Sequence, residues 1–201
     1  MTYPNEVIII ICEGPSERAY LQQLNRVLRE KECHVSFNAR LSNGGDFNTV
    51  KKKFRQERKN NKKAPIFIWV DFDLYKRNDK GNKDKYENRG RDIPEFLFSK
   101  MNFEDVLILH FEKRIIDKWI QICKEKKHFN KPLFSDDYLP LFKRFYKNEV
   151  GIKYNKGDLP FDLDEAKIMN IFKNPHNKNI PFESGLHQKL FGLFSSYFVF
   201  E

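Results

Sequence analysis

Carboxylates that could hold a metal ion or move a proton follow a strongly apolar segment near the start of the sequence. Residues 7–11 are five consecutive β-branched residues, and Glu13 follows them, ahead of Gly14 and Glu17. A run without alternation is typical of a strand buried on both faces of a parallel sheet, and Gly14 with Pro15 favours a sharp turn into a helix. We therefore expect Glu13 at the carboxyl end of an inner strand and Glu17 one turn into the helix, where open α/β sheets have their sites. The alternative is a solvated turn residue and an ordinary first-turn helix residue, since acidic side chains favour helix starts.

A second apolar run also ends in acidic residues. Residues 66–70 are Ile-Phe-Ile-Trp-Val, and Asp71 and Asp73 follow with Phe72 between them. Residues i and i+2 of an extended segment point the same way, so the sequence predicts two carboxylates on one side and Phe72 in the packing. Mg²⁺ prefers oxygen ligands and commonly combines one or two carboxylates with waters and a substrate phosphate. The pair is therefore a candidate ligand set for Mg²⁺ or Mn²⁺, although Asp-x-Asp is also common in turns.

The segments around these two strands predict an α/β fold. Residues 34–41 alternate as a strand does, and a Gly-Gly-Asp turn leads from them into a second helix. Farther along, residues 93–101 have helical spacing, and residues 106–111 form an apolar run that predicts a fourth strand ending at Glu112. Helical crossovers between strands imply a mostly parallel four-stranded sheet flanked by helices, of the Rossmann-like kind.

The rest of the chain predicts a loop and a helical extension. Residues 76–91 have no apolar period and are rich in charge, Asn and Gly, which predicts a mobile loop. In the last third, Pro and Gly divide the chain into short pieces, with residues 139–146 and 163–172 as the best helix candidates. We expect an α/β domain over residues 1–130 and a mostly helical extension over residues 131–201 packed on it.

Length and composition limit the class of protein. The chain has 201 residues, 40% of them hydrophobic, which is enough for a core. No window reaches the roughly 18 apolar residues of a membrane span, and no cationic leader precedes the first apolar run, so we expect a cytoplasmic protein that does not bind membranes. Three scattered cysteines without a Cys-x-x-Cys pair predict free thiols. The formal charge of +9 favours a polyanionic partner such as nucleic acid, although Lys- and Asn-rich composition can also reflect genome base composition.

Much of the positive charge lies in the second predicted helix, which begins at Asp46. Phe47, Val50 and Phe54 give this helix a thin apolar stripe, and the remainder is strongly basic. Like charges on one helix repel one another unless an anion is present, which favours a phosphate-contacting face. A solvated helix face is the alternative. The candidate phosphate contacts are Lys52, Lys53, Arg55 and Lys59.

Taken together, the two acidic strand ends resemble the TOPRIM domain shared by topoisomerases, bacterial primases and OLD-type nucleases. Either motif alone is common, but here a helix-strand-helix unit separates them, as in that family. The details over residues 6–123 are most similar to RloB-like proteins. The shared features are Cys-Glu-Gly-Pro-Ser-Glu-Arg-Ala-Tyr-Leu from Cys12, the Gly-Gly-Asp turn, Ile-Trp-Val-Asp-Phe-Asp ending at Asp73, and Phe111-Glu112 ahead of a Trp-bearing helix. RloB-like proteins have Asn-Pro before this Phe-Glu pair, where this chain has Leu-His.

The resemblance implies Mg²⁺-dependent (or Mn²⁺-dependent) cleavage of a nucleic-acid phosphodiester. Asp71 and Asp73 match the metal-binding pair, Glu13 matches the glutamate that acts as general acid or base or as a metal ligand, and Glu17 matches the added carboxylate of nuclease-like members. The implied substrate is DNA or RNA, and the implied role is in a bacterial anti-phage or restriction-associated system. The partners to be expected are an operon-encoded protein such as an ATPase and a second copy of the chain in a homodimer.

Two other functional classes also place acidic residues at strand ends. One is a catalytically inactive TOPRIM-like binding module that acts with an operon partner. The other is a phosphotransfer receiver, which would have paired acids after its first strand and a phosphorylatable Asp after its third. This chain instead has Glu-Gly and then Asp-x-Asp, with a basic second helix, so the receiver is disfavoured.

Overall fold

A parallel four-stranded sheet forms the centre of the molecule. The computed structural model describes residues 6–78, 81–174, 181 and 183–194, without the side chains of residues 77, 191, 193 and 194. The strand order in this part of the chain is β2-β1-β3-β4, and every pairing is parallel. The α/β fold expected from the sequence is confirmed, and the two strands with acidic ends are the inner ones. The strands are β1 (Glu6–Cys12), β2 (Val35–Leu41), β3 (Ile66–Asp71) and β4 (Phe96–Ser99).

Helices connect the strands and cover both faces of the sheet. Those before β4 are α1 (Pro15–Glu30), α2 (Phe47–Asn60), α3 (Asp73–Arg77) and α4 (Asn82–Glu87). Those after β4 are α5 (Phe103–Ile108), α6 (Lys113–Glu125), α7 (Ser135–Val150), α8 (Glu165–Lys173) and α9 (Gly185–Phe194). Among the described residues, no helix is long and apolar enough to cross a membrane.

The isoleucine run of β1 supplies both hydrophobic cores. Ile8 and Ile10 pack on one face in a core with residues of α1, α5, α6, α7 and α8, whereas Ile9 and Ile11 pack on the other face with residues of α2 and α4. All four are at most 2% exposed. The run does not alternate because neither face of this strand meets solvent, as expected for an inner parallel strand.

Two elements before and after residue 100 have the opposite secondary structure from the one predicted. Residues 93–101 contain the fourth strand, β4, instead of a helix. Residues 106–111 do not form a strand, because residues 106–108 are the end of the helix α5 and residues 109–111 follow it. Val106 and Leu107 are fully buried. A short helix buried on all sides is apolar all round, so its periodicity cannot distinguish it from a buried strand.

The predicted mobile loop at residues 76–91 is wrong for its central part. Residues 82–87 form α4, and the side chains of Asn82 and Tyr86 are buried. Asn82 Oδ1 accepts a hydrogen bond from the backbone N–H of Phe47 at 3.2 Å, and the Tyr86 hydroxyl donates to the carbonyl of Gly45. This segment therefore supports the turn before α2, and residues 79–80 lie outside the described residues.

The C-terminal helices share a core with the sheet. The predicted helix at 139–146 lies within α7, and the one at 163–172 is confirmed by α8, which begins two residues later. Phe142, Tyr146 and Ile168 belong to the same core as Ile8. Residues 175–180, 182 and 195–201 of the expected extension lie outside the described residues. The division of the chain at residue 130 stays a prediction.

Candidate active site

The carboxyl ends of β1 and β3 bring Glu13 and Asp71 together. The strands are neighbours in register, with Cys12 opposite Trp69, so Glu13 follows β1 beside the last residues of β3. A Cβ atom added at Gly45 would lie 2.2 Å from Glu13 Oε2. Real atoms do not approach this closely, so the second glycine of the Gly-Gly-Asp turn leaves the space that the Glu13 carboxylate fills.

One oxygen of each of these two carboxylates is buried without a partner. Glu13 Oε2 and Asp71 Oδ1 are both shielded from solvent and have no hydrogen-bond partner among the residues that the structure describes. An unpaired buried carboxylate oxygen costs free energy unless a proton or a cation compensates it. Either a shared proton or a bound cation would therefore stabilise this pair.

Three more carboxylates surround the pair. The charge of Asp71 is opposed by those of Glu13, Glu17, Asp73 and Glu104, and Glu13 is opposed most strongly by Asp73. The sequence predicted that Asp71 and Asp73 lie on one side of an extended segment. This prediction is wrong, because Asp73 is the first residue of the helix α3. The five residues Glu13, Glu17, Asp71, Asp73 and Glu104 are called the acidic cluster below.

Burial and mutual repulsion raise the pKa values of four members of the cluster, which are Glu13, Glu17, Asp71 and Glu104. Burial, followed by the charge of Asp73, raises the pKa of Glu13 to about 7. Burial, followed by the charge of Glu13, raises the pKa of Glu17 to about 8. The pKa values of Asp71 and Glu104 also rise, mainly because these groups are buried. Glu13 and Glu17 therefore exchange protons near neutral pH, as general acids and bases must.

Glu17 has two physical roles in this arrangement. It lies in the first turn of α1 with its side chain 6% exposed, and backbone hydrogen bonds from its own residue and from Gly14 lower its pKa against the effect of burial. A carboxylate here stabilises the helix N-terminus. Glu17 is thus both a first-turn helix residue and a member of the acidic cluster, and the two interpretations from the sequence do not exclude each other.

Glu104 is the member of the cluster that sequence reasoning missed. It is the second residue of α5, is 6% exposed, and accepts a hydrogen bond from the Tyr154 hydroxyl at 2.9 Å. The next residue, Asp105, accepts from the backbone N–H of Asn102 at 3.2 Å, which closes the first turn of α5. An Asn with Asp three residues later is a helix-start signal. The apolar run that follows fits a strand as well as a helix, so the sequence alone does not identify a helix start at Asn102.

Buried polar contacts hold α5 in place. Asp105 Oδ1 accepts from Trp119 Nε1 at 2.6 Å, and its Oδ2 lies 3.4 Å from His128 Nε2. His128 Nδ1 accepts from the backbone N–H of Leu133 at 3.1 Å, so Nε2 carries the proton and donates to Asp105. These contacts tie α5, and with it Glu104, to α6 and the segment before α7.

Glu112 does not belong to the cluster. It precedes α6 with its side chain 71% exposed, and its nearest described cation is Arg114 at 3.7 Å. An exposed ion pair of this length contributes little to stability. Of the two Phe-Glu pairs in this region, the structure therefore brings the glutamate of residues 103–104 to the sheet edge, and not that of residues 111–112.

The chemistry of the acidic cluster fits a hard divalent cation. Within the part of the chain that the structure describes, no three His, Cys, Asp or Glu side chains converge closely enough to hold a metal ion as they stand. The orphaned oxygens of Glu13 and Asp71 are nevertheless the ligand type that Mg²⁺ and Mn²⁺ prefer, and carboxylates that repel one another move together when a cation neutralises them.

The four candidate phosphate contacts of α2 differ in whether they form ion pairs with acidic side chains. Lys53 Nζ lies 2.9 Å from Glu57 Oε1, and Arg55 Nη2 lies 3.2 Å from Asp92 Oδ2. Both side chains therefore already have acidic partners, although the ion pair between Arg55 and Asp92 is exposed to solvent. The two remaining candidates are exposed and form no ion pair with any described residue; they are Lys52 and Lys59.

No family model, curated protein sequence or solved structure matches this chain.

Proposed function

We propose that this chain is a Mg²⁺-dependent nuclease of the TOPRIM kind, acting on DNA or RNA in a bacterial anti-phage or restriction-associated system. The observation that carries the proposal is the pair of orphaned oxygens of Glu13 and Asp71 among three further carboxylates at the carboxyl edge of the sheet. Burying like charges side by side destabilises a fold unless protons or cations compensate them, which a metal site explains and a purely structural role does not.

Glu104 belongs to a second Phe-Glu pair to which the resemblance can be applied. RloB-like proteins have Asn-Pro before the Phe-Glu pair, and in this chain Asn102, without a Pro, directly precedes Phe103 and Glu104. The pair at residues 111–112 follows Leu-His instead. Because Glu104 belongs to the acidic cluster and Glu112 is exposed, Glu104 is the glutamate that we propose for this role.

The residues of the cluster would divide the work of phosphodiester cleavage. Glu13, Asp71 and Asp73 would hold the cation, with Glu104 as a further oxygen ligand. A bound Mg²⁺ would withdraw charge from the scissile phosphate and lower the pKa of a coordinated water. Glu17, whose pKa is raised to about 8, retains a proton at neutral pH and could donate it to the leaving oxygen.

Nuclease assays with the purified chain test this proposal. Supercoiled DNA, single-stranded DNA and structured RNA are each incubated with Mg²⁺, Mn²⁺ or EDTA, and the products are separated on gels. We expect cleavage of at least one substrate that EDTA abolishes. Cation binding without cleavage of any substrate would instead favour the inactive TOPRIM-like module that acts with an operon partner.

The exposed lysines of α2 should contribute a salt-dependent part of nucleic-acid binding. Replacing Lys52 and Lys59 by Gln should weaken binding to all sequences alike and reduce the slope of log K against log salt by about one unit per lost phosphate contact. Fluorescence anisotropy at several salt concentrations measures this slope. The matched control replaces Lys124 and Lys126, which are exposed lysines of the α6 region, by Gln. If both double variants have the same salt slope, the basic face of α2 is only solvated and does not contact phosphate.

A further inference from the structure

A turn from the C-terminal third of the chain lies against the acidic cluster. The Tyr154 side chain is fully buried and its hydroxyl donates to Glu104 Oε1 at 2.9 Å. The backbone N–H of Gly157 donates to Ser16 Oγ, also at 2.9 Å, and Ser16 is the second residue of α1. Two hydrogen bonds thus attach this turn, residues 154–157, to the two helices that carry Glu104 and Glu17.

The backbone conformation of the turn depends on glycine. The backbone N–H of Asp158 donates to the carbonyl of Asn155 at 3.2 Å, which closes the turn. Gly157 has a φ of +101°, a value that residues other than glycine rarely adopt. A Cβ at Gly157 would also lie 3.7 Å from Pro15 Cγ, in ordinary contact with the start of α1. Lys156 is therefore held at the corner of a tight turn that is attached to α5 through Tyr154 and to α1 through Gly157.

Lys156 is the basic side chain that this turn brings to the cluster. It is exposed and forms no ion pair with any residue that the structure describes. Two residues before it, Tyr154 is hydrogen-bonded to Glu104, and directly after it, Gly157 is hydrogen-bonded to Ser16, the residue before Glu17. Lys156 thus lies between two points at which the turn is attached to the helices of the cluster, with its side chain available to an anion.

We propose that Lys156 binds the phosphate group of the nucleic-acid substrate at the acidic cluster, so that the C-terminal third of the chain supplies a substrate-binding residue to the sheet edge. This inference rests on the proposed function. Carboxylates alone repel a polyanion, and a compact ammonium beside them offsets that repulsion at the position of the scissile phosphate. The tight turn reduces the entropy that a lysine on a flexible loop would lose on binding.

The test compares Lys156→Gln with Lys153→Gln, which makes the same charge change on a nearby exposed lysine. Binding of a short fluorescein-labelled oligonucleotide is measured by anisotropy with Ca²⁺ in place of Mg²⁺, and divalent-cation affinity is measured separately by calorimetry. We expect Lys156→Gln to weaken oligonucleotide binding by about tenfold or more, the effect of losing one charge-assisted hydrogen bond. Cation affinity should stay equal or rise by about two- to fivefold, since a nearby positive charge is removed. Lys153→Gln should change neither, and Lys156→Arg should retain most of the binding.

Each outcome separates this inference from the proposed function. If the wild-type chain cleaves nucleic acid and the two glutamine variants behave alike, the inference about Lys156 is wrong and the proposed function stands. If nothing is cleaved but Lys156→Gln alone loses oligonucleotide affinity, the nuclease proposal fails and the phosphate contact stands. Absence of oligonucleotide binding by the wild-type chain overturns the inference, and so does a loss of cation affinity in Lys156→Gln, because the lysine would then organise the carboxylates instead of binding phosphate.

Discussion

Replacing Asp71 by Asn should abolish divalent-cation binding and lower nuclease activity by about a thousandfold or more, as when a group acting on the transition state is removed. Asp71 Oδ1 is buried and accepts no hydrogen bond from the described part of the chain, and four other carboxylates oppose the charge of this residue. Asparagine keeps the shape of the side chain and removes its charge. Calorimetric titration with Mg²⁺ and the nuclease assay measure the two losses.

The same substitution should stabilise the protein in EDTA. Repulsion within the cluster is relieved, and a relief equivalent to one pKa unit is about 1.4 kcal/mol, so we expect a gain on the order of 1–3 kcal/mol at pH 8. Urea unfolding measures this gain. Glu112→Gln is the control, since it removes an exposed carboxylate outside the cluster and should alter neither stability nor cation binding. A variant Asp71→Asn that unfolds while cation affinity persists would make these acids structural residues and would contradict the TOPRIM interpretation.

Raising the pH from 6.5 to 8.5 in EDTA should destabilise the protein by on the order of 2–3 kcal/mol. The folded-state pKa values of Glu13 and Glu17 are raised to about 7 and about 8, above the ordinary value of 4.5. The folded state therefore binds more protons than the unfolded state between these values. The stability that these protons provide is fully present below pH 4.5 and is lost as the pH rises through the folded-state values.

Between pH 6.5 and 8.5, the effect of the glutamates on stability can be distinguished from that of the buried histidines. Burial lowers the pKa of His110 to about 4 and that of His187 well below its usual range. Their stabilising effect is present above the ordinary histidine value of 6.5 and is lost as the pH falls below it. Between pH 6.5 and 8.5 it therefore rises by less than about 1 kcal/mol, which is smaller than the loss from the glutamates and opposite in sign.

Saturating Mg²⁺ should remove the part of the pH dependence that comes from Glu13, because a cation bound to its ionised carboxylate replaces the proton, whereas Glu17 keeps its proton as the proposed acid. Glu17→Gln should flatten the EDTA curve, whereas Glu112→Gln should leave it unchanged. Thermal unfolding followed by circular dichroism at several pH values measures these curves. A stability that stays constant or rises across this window in EDTA would show that the cluster does not titrate as described.

The sequence by itself determined the part of the site that local patterns encode. The non-alternating runs that became β1 and β3 indicated strands buried on both faces, and parallel strands expose their carboxyl ends at one edge. These two facts predict Glu13 and Asp71 at the same edge of the sheet, and the strand order, in which β1 and β3 are neighbours, brings them together. The Gly-Gly-Asp turn was also visible in the sequence, although its physical reason, the space that Glu13 fills at Gly45, appears only in three dimensions.

Tertiary structure decided the remaining members of the site. Glu104 enters the cluster because α5 is a buried helix, and an apolar run enclosed on all sides has the same pattern whether it is helical or extended. Lys53 and Arg55 acquire acidic partners that helix periodicity cannot reveal. Lys156 reaches the cluster through a hydrogen bond between Gly157 and Ser16, which lie 141 positions apart in the chain. Secondary-structure patterns report neighbours within a few residues, so contacts of this separation depend on the packing of the whole fold.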